Sequence, residues 1–139
     1  MGEKLIAVVA GMVAAVLCIV LFDGLNHLVY PPPPGFSYEN PDMLKKFMFN
    51  APFVSKTILV LGLIIAGITG GFVSSKFDKT SDQRIPLVVG GLLFVQYAFN
   101  FYSIPHPPAI TIIGLVMVVP AARFGYLLYV KYLGAQIKK

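Results

Sequence analysis

Apolar residues fall in four long blocks along the chain, and each block is apolar on all sides rather than along one stripe. Residues 5–25 carry a single charge, Asp23, close to the end of the run. Residues 53–77 have Lys56 near the start and Lys76 near the finish. Residues 85–102 contain Gln96 and Asn100 as their strong polar groups, and residues 109–133 contain Arg123 and Lys131. A helix of roughly 20 apolar residues crosses a bilayer core of about 30 Å. All four blocks qualify, although the third is short. A soluble four-helix bundle would keep polar outer faces at helical period, and these blocks do not. The pattern predicts an all-α membrane protein, one domain over residues 1–139, with four transmembrane helices over about 5–27, 53–77, 85–102 and 109–133.

The stretch between the first two blocks has its own grammar. His27-Leu28-Val29-Tyr30 runs into Pro31-Pro32-Pro33-Pro34-Gly35. Four prolines cannot continue a helix, because each lacks the N–H donor and its ring clashes with the preceding turn. They are expected to form an extended polyproline II rod leading away from the first helix. Asn40-Pro41 then reads as an N-cap followed by proline at the first helical position. Met43, Leu44, Phe47 and Met48 share one stripe, with Lys45 and Lys46 off it. This predicts a short amphipathic helix over 41–50, lying in the headgroup region or capping the bundle.

Composition agrees with a membrane environment. The chain is 57% hydrophobic and 12% charged, with a mean hydropathy of +0.78, against about 25% charged residues in soluble domains. A net charge of +5 on a soluble domain would suggest nucleic acid. Here the basic residues flank apolar blocks, so they are read as determinants of orientation, and no nucleic-acid partner is expected. Lys4, Lys76, Lys79, Arg84, Lys131, Lys138 and Lys139 fall on one side, against Lys45, Lys46 and Lys56 on the other. Seven against three predicts that both termini are cytoplasmic. The first block is longer than the h-region of a signal peptide, about 7–15 residues, and no A-x-A-like cleavage site follows it. It is therefore expected to remain as a helix. The lone Cys18 permits no disulfide within the chain and reads as a small buried hydrophobe.

This orientation places the two histidines, His27 and His106, on the same outer side. Asp23 is one turn before His27, and positions i and i+4 share a helix face. Asn100 lies at the outer end of the third block. Asp23, His27, Asn100 and His106 thus form a candidate polar cluster just below the outer surface, and an ionisable residue inside a membrane helix marks a functional site by default. Imidazole and carboxylate also suit zinc, so Asp23, His27 and His106 are the residues a metal would use. A hydrogen-bonded pair holding the first helix to the last hairpin is the structural alternative. Histidine also titrates near neutral pH, which adds a proton-linked role. Beyond these residues no cofactor is indicated.

Gly62, Ala66, Gly70 and Ser74 recur every fourth residue in the second block, with Gly67, Gly71 and Ser75 one position over. Ala7, Gly11 and Ala15 repeat the pattern more weakly in the first. Small residues at this spacing let helix backbones approach closely in lipid, either within the chain or between copies. In the fourth block Pro120 removes one backbone hydrogen bond and is expected to kink the helix. Arg123 follows three residues later. It is expected to snorkel to the cytoplasmic interface, or else to meet an anion, a lipid headgroup, Asp78 or Asp82. Tyr126, Tyr129 and Tyr132 fit an interfacial aromatic belt. There is no phosphate loop GxxxxGK[ST], no HExxH, no GxSxG and no paired cysteines, so nothing points to an enzyme.

Asp23 and His27 running into Tyr30-Pro31, the Gly70-Gly71-Phe72 stretch, and Asn100 with Pro105-His106-Pro107 together resemble a family of small bacterial four-pass integral membrane proteins. The resemblance covers nearly the whole chain as topology and only the two His-Pro neighbourhoods as motif. It implies the bacterial inner membrane and no activity. The functional expectation is a non-enzymatic accessory or assembly subunit of a membrane complex, or a homo-oligomer, with lipid, other membrane subunits or itself as partners. The alternative is a binding or transport protein with its site at the outer polar cluster.

Overall fold

The computed structural model describes residues 2–78, 82–104 and 106–134. Lys79, Pro105, Lys138 and Lys139, to which the sequence assigned roles, lie outside the described residues. The order is α1 (Gly2–Val29), α2 (Pro41–Asn50), α3 (Phe53–Phe77), α4 (Arg84–Ser103) and α5 (Pro108–Tyr129), followed by a π-helical turn at Val130–Gly134. No strand occurs among the described residues. The four longer helices are each long and apolar enough to cross a membrane, which is the build of a multi-pass membrane protein. α1 and α4 extend past their apolar blocks and α3 matches its block, whereas the α-helix of α5 ends at Tyr129 and the last block finishes in the π-helical turn. The fourth helix runs through Pro120 without ending.

α3 is the hub, packing against α1, α4 and α5, whereas α1 and α5 do not touch. Its two rows of small residues explain why. Along the first row, a Cβ on Gly70 would sit 3.1 Å from the Ala15 side chain and 3.1 Å from the Gly11 carbonyl oxygen. A Cβ on Gly62 would meet the Phe22 ring. These pairs run in opposite directions along the two helices, so α1 and α3 are antiparallel, and the stripe Ala7, Gly11 and Ala15 is the part of α1 that is buried. The second row faces α5. A Cβ on Gly67 would lie 2.9 Å from that of Ala121, and one on Gly71 would overlap the Ala122 carbonyl. Gly125 of α5 returns the contact against the backbone of Ile68 and Phe72. Both rows are therefore occupied inside the chain. The homo-oligomer expectation loses the feature that suggested it, because the backbones that small residues bring together belong to one molecule.

Ala15, Ala66, Val89, Leu93, Tyr97 and Val118 form the buried core. At the end of the bundle holding the chain's start, Lys4 Nζ reaches Asp82 Oδ2 at 3.1 Å, and the Asp82 backbone N–H donates to Asp78 Oδ2 at 2.7 Å. The Arg84 backbone N–H and Lys4 hold the Asp82 carboxyl below the ordinary carboxylate range. Asp82 is thus engaged by Lys4. Arg123 is exposed, and it does not face the bundle.

At the opposite end, α2 lies beside the bundle rather than packed along any of the longer helices, and Lys56 Nζ of α3 donates to its Phe49 carbonyl at 3.0 Å. The preceding loop holds it as well. Asn40 caps it, its Oδ1 accepting from the N–H groups of Asp42 and Met43 at 3.1 and 3.2 Å. The expected four-proline rod is cut short. Phe36 N–H donates to the Pro33 carbonyl at 3.1 Å, and Gly35 has φ of 79°, the left-handed value that position i+2 of a type II turn requires. The chain reverses there and lays Phe36 on Phe47, with ring centroids 4.9 Å apart, while Tyr30 stacks on Phe47 at 4.5 Å.

Candidate binding site

The antiparallel arrangement brings the end of α1, the start of α3, the end of α4 and the start of α5 to the same end of the bundle. Between them lies a partly enclosed cavity of about 100 Å³. Asp23 enters it from α1, Gln96, Tyr97 and Asn100 from α4, and His106 from the loop before α5. Gln96 and Asn100 are one turn apart and so share a face. Phe22, Leu59, Leu63, Phe101 and Ile110 are among its apolar walls. Gly62, which also lines the cavity, lets Phe22 cross close to α3 there.

Three of the four residues in the sequence-derived cluster therefore meet, and the fourth does not. His27 does not border the cavity. Its Nδ1–H donates to the backbone carbonyl of Asp23 at 2.9 Å, which leaves Nε2 of the neutral ring to accept from the Tyr38 hydroxyl at 3.0 Å. A carbonyl one turn back is always within reach of a histidine at a helix end, and that local bond wins over the cluster. His27 thus ties the loop to α1. The metal trio of Asp23, His27 and His106 is not assembled, and no group of three His, Cys, Asp or Glu among the described residues is placed to hold a metal ion.

His106 is held firmly. Its Nδ1–H donates to the Ile104 carbonyl at 2.6 Å, and Phe101 meets its ring edge-on with centroids 4.9 Å apart. A carbonyl can only accept, so Nδ1 carries the proton and Nε2 of the neutral ring keeps its lone pair. Burial pushes the imidazole below its ordinary 6.5, partly offset by the bond to Ile104. Tyr97 is buried and donates its hydroxyl to the Leu63 carbonyl at 3.4 Å. The Asp23 carboxylate is within electrostatic reach of that hydroxyl. Among the described residues, no side chain or N–H donates a hydrogen bond to this carboxylate. Asp23, Gln96 and Asn100 keep accessible surface, as side chains bordering a partly open cavity do.

No family model, no curated protein and no solved structure matches this chain. The site therefore rests on its own geometry.

Sequence reasoning passed over several polar partners. Ser55 is buried and donates to Asn26 Oδ1 at 2.7 Å, pinning the end of α1 to the start of α3 beside the cavity. Both are common polar residues at block edges, and nothing in their spacing links them. Gln96 and Tyr97 were more accessible to inference: Gln96 is four residues before Asn100 in an otherwise apolar block, which is the signature of a shared polar face.

Proposed function

We propose that this protein is an integral membrane protein of the bacterial inner membrane, with both termini cytoplasmic, that binds a small polar ligand in the cavity at its outer end. One observation carries the binding reading. Five polar side chains from three separate segments converge on one partly enclosed cavity in a bundle whose remaining core is apolar or small. Polar groups inside a membrane bundle are costly and are retained where they bind or conduct. The concave, mostly apolar shape with a few convergent polar groups is that of a small-molecule site. The distribution of lysine and arginine supports the orientation.

Native mass spectrometry of the protein extracted in mild detergent from its own host tests the binding. A small-ligand mass on the monomer that is lost in Asn100→Ala and kept in His27→Ala is the expected result. Retention of that mass in Asn100→Ala would move the site elsewhere. For the orientation, Ser37→Cys on a Cys18→Ser background is expected to react with a membrane-impermeant maleimide in intact cells. Protection there, with reaction only after lysis, would reverse it.

The accessory-subunit reading is supported by a different feature. α1 buries only Ala7, Gly11 and Ala15, and its Leu5, Val9, Val13, Leu17 and Val20 are exposed. The same spectrum distinguishes this reading by a stoichiometric mass of a second subunit.

A further inference from the structure

We propose that the ligand of this cavity is a small alkylammonium-type cation, its ammonium group held by Asp23. The proposal rests on the binding reading above and names the ligand class. Among the described residues, no lysine or arginine borders the cavity, and Asp23 is the only carboxylate that does. An anion would meet that carboxylate with nothing to offset the repulsion. A neutral ligand would cover part of the carboxylate's exposed surface without supplying a counter-charge, and desolvating an unpaired charge is expensive. A cation removes that cost.

The hydrogen-bonding inventory points the same way. His106 presents an Nε2 lone pair, because its Nδ1–H is committed to Ile104. The Tyr97 hydroxyl spends its proton on the Leu63 carbonyl, so its oxygen faces the cavity as an acceptor. Asn100 and Gln96 are amides that can turn a carbonyl oxygen or an N–H toward the ligand, so they adapt to a cation as readily as to another polar group. An ammonium group carries three donors and no acceptor, which complements a site whose committed groups are acceptors. His27 makes no hydrogen bond to the Asp23 carboxylate, since its ring nitrogens are engaged at the Asp23 backbone carbonyl and at Tyr38, and it does not border the cavity. A divalent metal is a poorer match, with no three His, Cys, Asp or Glu convergent among the described residues.

Size and wall chemistry set the rest of the ligand. The volume of about 100 Å³ corresponds to roughly three waters at about 30 Å³ each, so the ligand has about three to five non-hydrogen atoms. Phe22, Leu63 and Phe101 offer hydrocarbon to its alkyl part.

The experiment is isothermal titration calorimetry of the full chain in lipid nanodiscs with ethylammonium chloride. Propanol, sodium acetate and zinc chloride are titrated in parallel. The expected result is one ethylammonium per chain, bound at least tenfold more weakly in Asp23→Asn and within twofold of the parent in His27→Ala. Asn100→Asp adds a second carboxylate and is expected to tighten ethylammonium severalfold, so the proposal remains testable should Asp23→Asn fail to fold. Propanol, acetate or zinc binding more tightly than ethylammonium, with loss in Asn100→Ala, would overturn the cation assignment and leave the binding reading standing. Unchanged ethylammonium affinity in Asn100→Asp would also overturn the assignment. No heat from any of the four probes would overturn both.

Discussion

Substituting Gly71 by alanine isolates the α3–α5 contact. The added Cβ would lie 2.8 Å from the Ala122 Cα and 2.6 Å from its carbonyl carbon, and closer still to the oxygen. All three are backbone atoms, so no side chain can rotate away. Restoring ordinary contact to the Cα alone needs about 0.6 Å of separation, and a radial gap of about 0.5–1 Å forfeits a quarter to a half of each dispersion contact. That loss extends along Gly67, Ala121 and Gly125, which share the interface. Overpacking of this kind costs about 1–3 kcal/mol. Gly91 is the internal control, for a Cβ there meets nothing within 4 Å and alanine gains up to about 1 kcal/mol of helix propensity over glycine. Unfolding by SDS in mixed micelles, followed by far-ultraviolet circular dichroism, is expected to separate the two variants by about 2–4 kcal/mol. Gly71→Ala matching or exceeding Gly91→Ala in stability would refute the close approach of α3 and α5.

Three further outcomes follow from the site. Ser55→Ala leaves the half-buried Asn26 Oδ1 without its donor and is expected to destabilise by about 0.5–1.5 kcal/mol, read by the same titration; a neutral result would mean that the pair does not hold α1 to α3. His106 is a base whose folded-state value lies below its ordinary 6.5 because of burial, so the unfolded chain binds the extra proton first. Stability is therefore complete above about pH 6.5 and falls as the pH drops through the window beneath it; a His106 ring-proton NMR midpoint at or above 6.5 would contradict this. Tyr38→Phe removes the donor to His27 Nε2 and is expected to speed amide exchange across residues 36–40 without moving the bundle's unfolding midpoint. Unchanged exchange there would show that this bond does not hold the loop.

Most of the scaffold was legible because lipid imposes one simple rule, that spanning segments be apolar throughout and internally hydrogen-bonded. The α2 boundaries were equally readable, since Asn40-Pro41 is a start signal with a mechanism. The small residues of both helices mark close packing without naming a partner, and Gly11, Ala15 and Gly70 do meet. The partner of the second row is not legible, because Ala121 and Gly125 of α5 are a single pair at four-residue spacing rather than a sustained row. Pro34-Gly35 is a turn signal that the run of four prolines concealed. At the site, topology brought Asp23, Asn100 and His106 together once the helices were antiparallel. His27 went astray because helical spacing fixes the face of a residue, while its χ angles choose between a distant cluster and the carbonyl one turn back.

The hub position of α3 has a consequence for biogenesis. α1 and α3 form one antiparallel hairpin through Gly11, Ala15 and Gly70, and α4 and α5 form another through Gly90, Val119 and Ala122. Since α1 and α5 do not touch, the second hairpin docks on α3 and α4's contact with α1 without disturbing the first. A ribosome releasing the chain can thus leave a completed half in the bilayer before the second half is translated. A gene divided between α3 and α4 is expected to yield fragments that find each other in the membrane.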